Sequence, residues 1–414
     1  MGYNCFIAVS TREQMSNIPP LLFRAEDGDV AIWLESSESI EKKWLQGVPD
    51  ILEDRGIRSI KVAIGQDIND PTAILNACTQ GLKKLEALQG QCEQMNIILN
   101  GGTKLCSIAI VQVVQKLKTD NTLNMPVDYL YGDGAPVCVR MQQGDRFSSS
   151  QIYTYNEQSQ ISFDEMIRMK GYRTQCHDAQ VWRWGDKAKT MPKYGTDEPY
   201  TRWLHYAWGR NRNKESGDIT PLTDWPKRVQ EKWNSKQVDD EPWWNNEKQS
   251  WRIGACFEDV VWRRVICFLQ SQKDRFESVV QECWKNVKIV GEGNRSFSEM
   301  DVVLVLRNGI VIYIECKTQT HSIGELNASS DRLRQCSGNL SKMCVVSPMF
   351  ASFENNEGGG TMKAMFQSLQ SWSKQKYSVA IPYSLHPAPS EDNKEGDFES
   401  SMERLLSQYA LKRG

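Results

Sequence analysis

Apolar runs of strand length recur along the first third of the chain, at 4–9, 30–34, 58–64, 95–99 and 126–131. Between most of them, apolar residues fall at spacings of three and four, as in Ile40–Arg55 and Pro71–Leu88, and this spacing predicts helices. Alternation of this kind predicts an α/β domain with a mostly parallel sheet covered by helices on both faces. From Pro136 the pattern shortens to the alternating runs Val137–Met141 and Gln151–Tyr155, expected as antiparallel strands that finish a first domain, residues 1–160.

A second periodic region, residues 251–414, starts with an amphipathic helix over 256–269 and an apolar run over 278–290. Next come two β-branched runs, Ser298–Leu306 and Ile310–Thr318, separated by Arg307-Asn308-Gly309. Asn-Gly between such runs is a strong hairpin signal. Near the end, Met402, Leu405, Leu406 and Tyr409 repeat at i, i+3, i+4 and i+7, the stripe of a helix expected to dock on one of the domains.

Residues 161–250 differ from both flanks. Ten of the fourteen tryptophans lie between Trp182 and Trp262, and Arg183–Lys214 holds eight Lys or Arg against three Asp or Glu. Aromatic rings among cations can stack unpaired bases. Large rings also cement one domain to another, and that use is the commoner one. The stretch is expected to be a connector.

Composition narrows the class. Forty per cent hydrophobic and 25% charged residues belong to a folded soluble protein, and 414 residues suit two domains and a bridge. No apolar run reaches membrane-spanning length, and Asn4–Val9 lacks the basic flank of a signal peptide, so a cytoplasmic location is expected. None of the twelve cysteines forms a Cys-x-x-Cys pair, and the histidines at 177, 205, 321 and 386 have no ligand spacing. Reduced core thiols are therefore expected, and no zinc site. With a net charge of −2, any affinity for nucleic acid must come from a local groove.

In open parallel sheets, ligands bind at the carboxyl ends of the strands. The most informative such end is Leu99-Asn100-Gly101-Gly102-Thr103-Lys104, which opens the apolar helix 105–117. Glycines admit a ligand close to backbone, a helix N-terminus offers free N–H groups, and Thr103 and Lys104 add a hydroxyl and a charge. These features suit a phosphate, and they equally suit a tight turn with an N-cap threonine. Similar polar ends at Ser10-Thr11-Arg12-Glu13-Gln14 and Tyr131-Gly132-Asp133-Gly134 favour a ligand rim.

The hairpin carries the candidate chemistry. Glu315 and Lys317 are two apart on one strand and so share a face, while Asp301 starts the partner strand at the same end. Two adjacent carboxylates can hold Mg²⁺ or Mn²⁺, with the lysine balancing charge on a phosphodiester. A salt-bridged, solvated hairpin end would account for the same residues. The metal reading requires a particular register. A two-residue turn would put Asp301 opposite Cys316, on the wrong face. A three-residue loop with glycine left-handed would put it opposite Glu315, Cβ atoms about 5 Å apart, and a compensating bulge between residues 301 and 315 would serve instead.

Asp301 followed by Glu315-Cys316-Lys317 one hairpin later resembles the PD-(D/E)xK signature of restriction-endonuclease-like nucleases, with Glu258 matching that superfamily's helical acid. Glu299-Met300 stands where a proline would precede the Asp. The front half, with its Gly101-Gly102-Thr103-Lys104 loop on a Rossmann-like sheet, resembles the CARF sensor domain. Together they are similar to the ancillary nucleases of type III CRISPR systems that cyclic oligoadenylate activates. The resemblance implies a homodimer sharing one cyclic oligoadenylate, with tetra-adenylate the favoured ring, and a nucleic-acid substrate. It also implies Ser10, Thr11, Gly101, Gly102, Thr103 and Lys104 at the activator, Glu258, Asp301 and Glu315 at the metal, and Lys317 at the transition state. A CARF-type transcription regulator would need a basic helix-turn-helix, and no such pattern follows residue 160. A dinucleotide-dependent oxidoreductase would need the glycine fingerprint that the front half lacks.

Overall fold

A computed structural model describes residues 2–144, 151–175, 180–186, 244–245, 250–251, 253–317, 323–338, 341–347, 379–382 and 398–411. Its first sheet takes β1 (Gly2–Val9), β2 (Val30–Ser36), β3 (Arg58–Gly65), β4 (Gln91–Ile98), β5 (Val127–Asp133), β6 (Cys138–Gln143) and β7 (Gln151–Tyr153) in the order β3-β2-β1-β4-β5-β6-β7. The first five strands are parallel and the last two antiparallel. The central strands β1 and β2 are buried on both faces, which is why they read as unbroken apolar runs, while edge strand β3 exposes Arg58, Lys61 and Ala63. Cys5, Ile7 and Val9 pack in a core with α4 (Pro71–Glu86) and α5 (Lys104–Thr119). Phe6 and Ala8 point the other way, into a core continuous with the second domain.

The helix expected over Ile40–Arg55 is two short ones, α2 (Ser37–Glu41) and α3 (Val48–Glu53); α1 is Ile18–Leu22. Gly47 sits at φ +73 and Pro49 follows in the first turn of α3, so no single helix can run through.

The second sheet has the order β16-β15-β14-β13-β12. Its strands are β12 (Val280–Val290), β13 (Ser296–Leu306), β14 (Val311–Cys316), β15 (Lys342–Ser347) and β16 (Val379–Pro382). β12, β13 and β14 are antiparallel; β15 and β16 continue parallel to β14. The outer edge of β12 pairs with β8 (Arg173–Gln175) and β9 (Gln180–Arg183), which follow α6 (Phe163–Met169). These strands of the expected connector therefore extend the second sheet. Burial explains it: Trp182 is fully buried, its ring 4.9 Å from that of Trp184, and the Trp184 indole donates to the Val280 carbonyl at 2.6 Å. These two rings cement. Most of the remaining basic, Trp-rich stretch lies outside the described residues; Trp244–Asn245 and Ser250–Trp251 (β10 and β11) form a two-stranded ribbon.

Helix α7 (Ile253–Ser271) lies along β12, the Trp262 indole donating to the Cys283 carbonyl and Lys285 paired with buried Asp259. Helix α8 (Ile323–Ser337) packs over β13 and β15. The C-terminal helix α9 (Phe398–Ser407) buries Met402, Leu405 and Leu406, and Arg264 holds both Glu399 oxygens at 2.6 and 2.7 Å. Among the described residues no helix is long and apolar enough to cross a membrane, and every described cysteine is a free thiol.

Candidate active site

The β13–β14 hairpin takes the three-residue form. Gly309 is left-handed at φ +80, its amide donates to Leu306 at 2.8 Å, and the Leu306 amide donates to the Ile310 carbonyl at 2.9 Å. The ladder runs from Val305 against Val311 to Val302 against Ile314. Carried one residue further, the same register sets Asp301 against Glu315, on one face of the sheet, with Lys317 two residues on. The Cys316 amide donates to Asp301 Oδ2 at 2.7 Å and fixes that carboxylate across the strand end. Lys317 Nζ pairs with Glu315 Oε1, while Glu315 Oε2 is buried with no partner among the described residues.

Glu258, on the second turn of α7, joins this group electrostatically. Burial first, and then repulsion from Glu299 and Glu315, push its carboxyl up to about 7 against relief from Lys285 and Lys317. Burial raises Asp301 well above the usual carboxylate range, and Glu258 and Glu315 add to it, although the Cys316 amide and Lys317 pull the other way. Burial disfavours the Lys317 ammonium, yet Glu315 and Asp301 outweigh it and raise its pKa.

These oxygen donors fit a hard cation. Mutually repelling carboxyls and one orphaned buried oxygen are what a divalent ion would relieve. They do not form a closed cage: among the described residues, no three Asp, Glu, His or Cys side chains are gathered closely enough to hold an ion as they stand.

A pH effect follows. In metal-free protein Glu258 keeps, up to about pH 7, a proton that the unfolded chain releases near 4.5. The folded state binds more protons in that window, so stability is expected to fall as pH rises through it. Thermal midpoints in chelator should drop between pH 5 and 7.5, and added Mn²⁺ should raise the midpoint more at 7.5 than at 5, because metal competes with the proton. Equal metal shifts at both pH values would argue against the carboxylate cluster.

Two neighbours of the site escaped sequence reasoning. Glu299, on the Asp301 face, is the main charge acting on Glu258. Asn286 lies between Lys285 and Val287, which pair with Val302 and Met300, and so falls opposite Asp301. It is left-handed at φ +54, and its carboxamide oxygen is buried without a partner among the described residues. Its only sequence signal is an asparagine inside an apolar strand.

The expected activator residues gather at the carboxyl rim of the first sheet, but not all face outward. Ser10 is buried and bonded to Ser39 at 2.6 Å and Gln14 at 3.0 Å, so its hydroxyl is engaged within the protein. Thr11 closes a local turn by accepting from the Glu13 amide. Gly101 is buried against the Val9 carbonyl, and Gly102 is left-handed at φ +76. Thr103 caps α5 through the Cys106 amide at 3.1 Å and also meets Asn69, a residue the sequence did not single out. Gly102, Thr103 and Lys104 are exposed.

No protein-family model matches the chain, and no curated protein is similar to it in sequence. Solved structures do share its fold over nearly its whole length. Protein VC1899 from Vibrio cholerae matches with a TM-score of 0.60 and 14% identity, over 98% of each chain. Can2 from Sulfobacillus thermosulfidooxidans, solved in complex with cyclic tetra-adenylate, matches with a TM-score of 0.57 and 13% identity, over 98% of this chain and 99% of that one. A type III CRISPR defence DNA nuclease activated by cyclic oligoadenylate matches with a TM-score of 0.50 and 14% identity; all of this chain aligns, spanning 53% of that one. The mixed α/β, two-sheet architecture expected from the two motifs is thus the architecture of these proteins.

Proposed function

We propose that this chain is a nuclease that hydrolyses phosphodiester bonds of DNA or RNA with Mn²⁺ or Mg²⁺, and that cyclic oligoadenylate, most simply cyclic tetra-adenylate, switches it on. The observation that carries the reading is the hairpin register that sets Asp301 against Glu315 with Lys317 on the same face. The similarity in fold to Can2, solved with cyclic tetra-adenylate, and to a nuclease activated by cyclic oligoadenylate supports both halves of it. Asp301, Glu315 and Glu258 would hold the cation, which when bound polarises the phosphodiester and lowers the pKa of water. Lys317, kept protonated by Glu315, sets an ammonium where negative charge grows on the phosphate. The Cys316 amide keeps Asp301 aimed at that end of the hairpin.

At the rim, exposed Gly102, Thr103 and Lys104 at the N-terminus of α5 suit the ring's phosphates, which free amides and the lysine would bind. Leu105 and Ile108, 64% and 54% exposed on the same helix, favour a homodimer in which two rims share one ring. Lys104→Ala is expected to raise the activator concentration for half-maximal cleavage about tenfold, leaving the maximal rate unchanged. Identical activation curves for variant and wild type would make the loop merely structural. The reading as a whole is tested by incubating labelled DNA and RNA with Mn²⁺, with and without cyclic tetra-adenylate. Cleavage that requires both additions is the expected result; no cleavage of either polymer would overturn it.

A further inference from the structure

The turn of the acidic hairpin is buried in the other domain's rim. Asn308, 7% exposed, donates from Nδ2 to the carbonyls of Asp133 (3.1 Å) and Gly134 (3.2 Å) at the end of β5. Its Oδ1 accepts from the Ile310 amide at 3.2 Å and so closes the turn on itself. On the far side Met15, from the loop after β1, presses on Gly309, where a Cβ would lie 1.9 Å from the Met15 methyl carbon. A cleft of about 200 Å³ opens beside these residues, bounded by Asn100, Tyr131 and Tyr155.

The same end of β5 is tied to the glycine loop. Asn100, the residue before Gly101, donates to the Gly132 carbonyl at 2.7 Å and accepts from the Gly132 amide at 2.6 Å. Gly132 has no slack: a Cβ there would lie 2.6 Å from both Pro20 and the Tyr155 hydroxyl. A continuous path therefore runs from Asn100 through Gly132, Asp133 and Gly134 to Asn308. From the turn, β13 and β14 extend about 17 Å to Asp301 and Glu315. The strands between are buried and fully paired, so they move as one body.

We infer that Asn308 is a positioning residue: through its two bonds to Asp133 and Gly134 it relays occupancy of the glycine-loop rim to the acidic end of the hairpin. The inference rests on the proposed reading of those two sites. A ligand acts at a distance through its different affinities for two states of the protein, and this chain of direct contacts gives rim and hairpin a physical route to share those states. Asn308 touches no reacting atom. Its effect is on whether the bound activator is felt.

Asn308→Asp isolates the relay. Aspartate keeps the oxygen that accepts from the Ile310 amide, so the turn can close, but it cannot donate to the two carbonyls. In the full-length protein with Mn²⁺, the variant is expected to bind labelled cyclic tetra-adenylate as tightly as wild type, while its maximal activated cleavage rate falls by about tenfold. An unchanged maximal rate, whether or not binding weakens, would overturn the inference. If the variant does not fold, hydrogen exchange on the wild type decides: the Gly309 and Ile310 amides are expected to change protection when the activator is added. Unchanged protection there, in a protein that binds the activator, would overturn it. Wild-type protein that neither binds the activator nor cleaves would instead sink the underlying reading of the sites.

Discussion

Glu315→Ala is expected to lower activator-dependent cleavage by on the order of a thousandfold, with activator binding unchanged. The carboxylate sits 5% exposed at the end of β14, one oxygen paired with Lys317 and the other without a partner among the described residues. Alanine removes a proposed metal ligand and also frees the lysine from its fixed position. Lys317→Ala should do comparable damage by a different route, losing the charge that meets the phosphate while keeping the carboxylates. Asp301→Asn separates chemistry from folding. Its neutral side chain can still accept from the Cys316 amide, yet no longer repels Glu258 and Glu315. Cleavage should be lost while the metal-free protein becomes more resistant to heat. Cleavage assays beside thermal melts check all three. Near-normal turnover by Glu315→Ala would remove the site from consideration.

Gly101→Ala should have the largest effect on stability, about 2–4 kcal/mol. A Cβ at this position would lie 2.3 Å from the Val9 carbonyl oxygen and 3.1 Å from Asn17 Oδ1. Neither neighbour can give way cheaply, since Val9 ends a central strand and fully buried Asn17 donates to that same carbonyl at 2.8 Å. The glycine loop would have to lift off the sheet, and activator binding should fall with it. Gly102→Ala should be milder, about 1 kcal/mol, because its difficulty is the left-handed backbone more than a clash with backbone atoms. Urea titrations of the two variants check the ranking. Gly102→Ala proving the more damaging would mean that the loop is held by its dihedral angles and not by its contact with β1.

Much of this architecture was legible because burial writes itself into periodicity. The central strands β1 and β2 are covered on both faces, so each appears as an apolar run, and the helices between β3 and β5 keep their three-and-four spacing. The hairpin itself was legible, but its register was not: Asn308-Gly309 allowed a two-residue turn with Asp301 on the wrong face, and it is the left-handed Gly309 of a three-residue loop that brings Asp301 opposite Glu315. Other features depend on partners distant in sequence. Ser10 looked like a polar strand end open to a ligand, but Ser39, after the next strand, turns it inward. The strands at 173–183 read as connector because tryptophan and arginine hide a short edge strand whose partner, β12, comes a hundred residues later. Asn308 read as a turn residue and nothing more; the carbonyls it holds lie 175 and 174 residues away. The break at Gly47 and Pro49 is different. Both residues signal it locally, and the apolar spacing on either side masked them.

The shared metal site of Asp301 and Glu315 is the centre of this account, and anomalous scattering from crystals grown with Mn²⁺ tests it most directly. The prediction is a manganese peak at the end of the β13–β14 hairpin, about 2.1 Å from a carboxylate oxygen of each residue, with Glu258 or water completing the shell. Peaks only elsewhere on the protein, or a peak at the hairpin that either Asp301 or Glu315 does not touch, would contradict it.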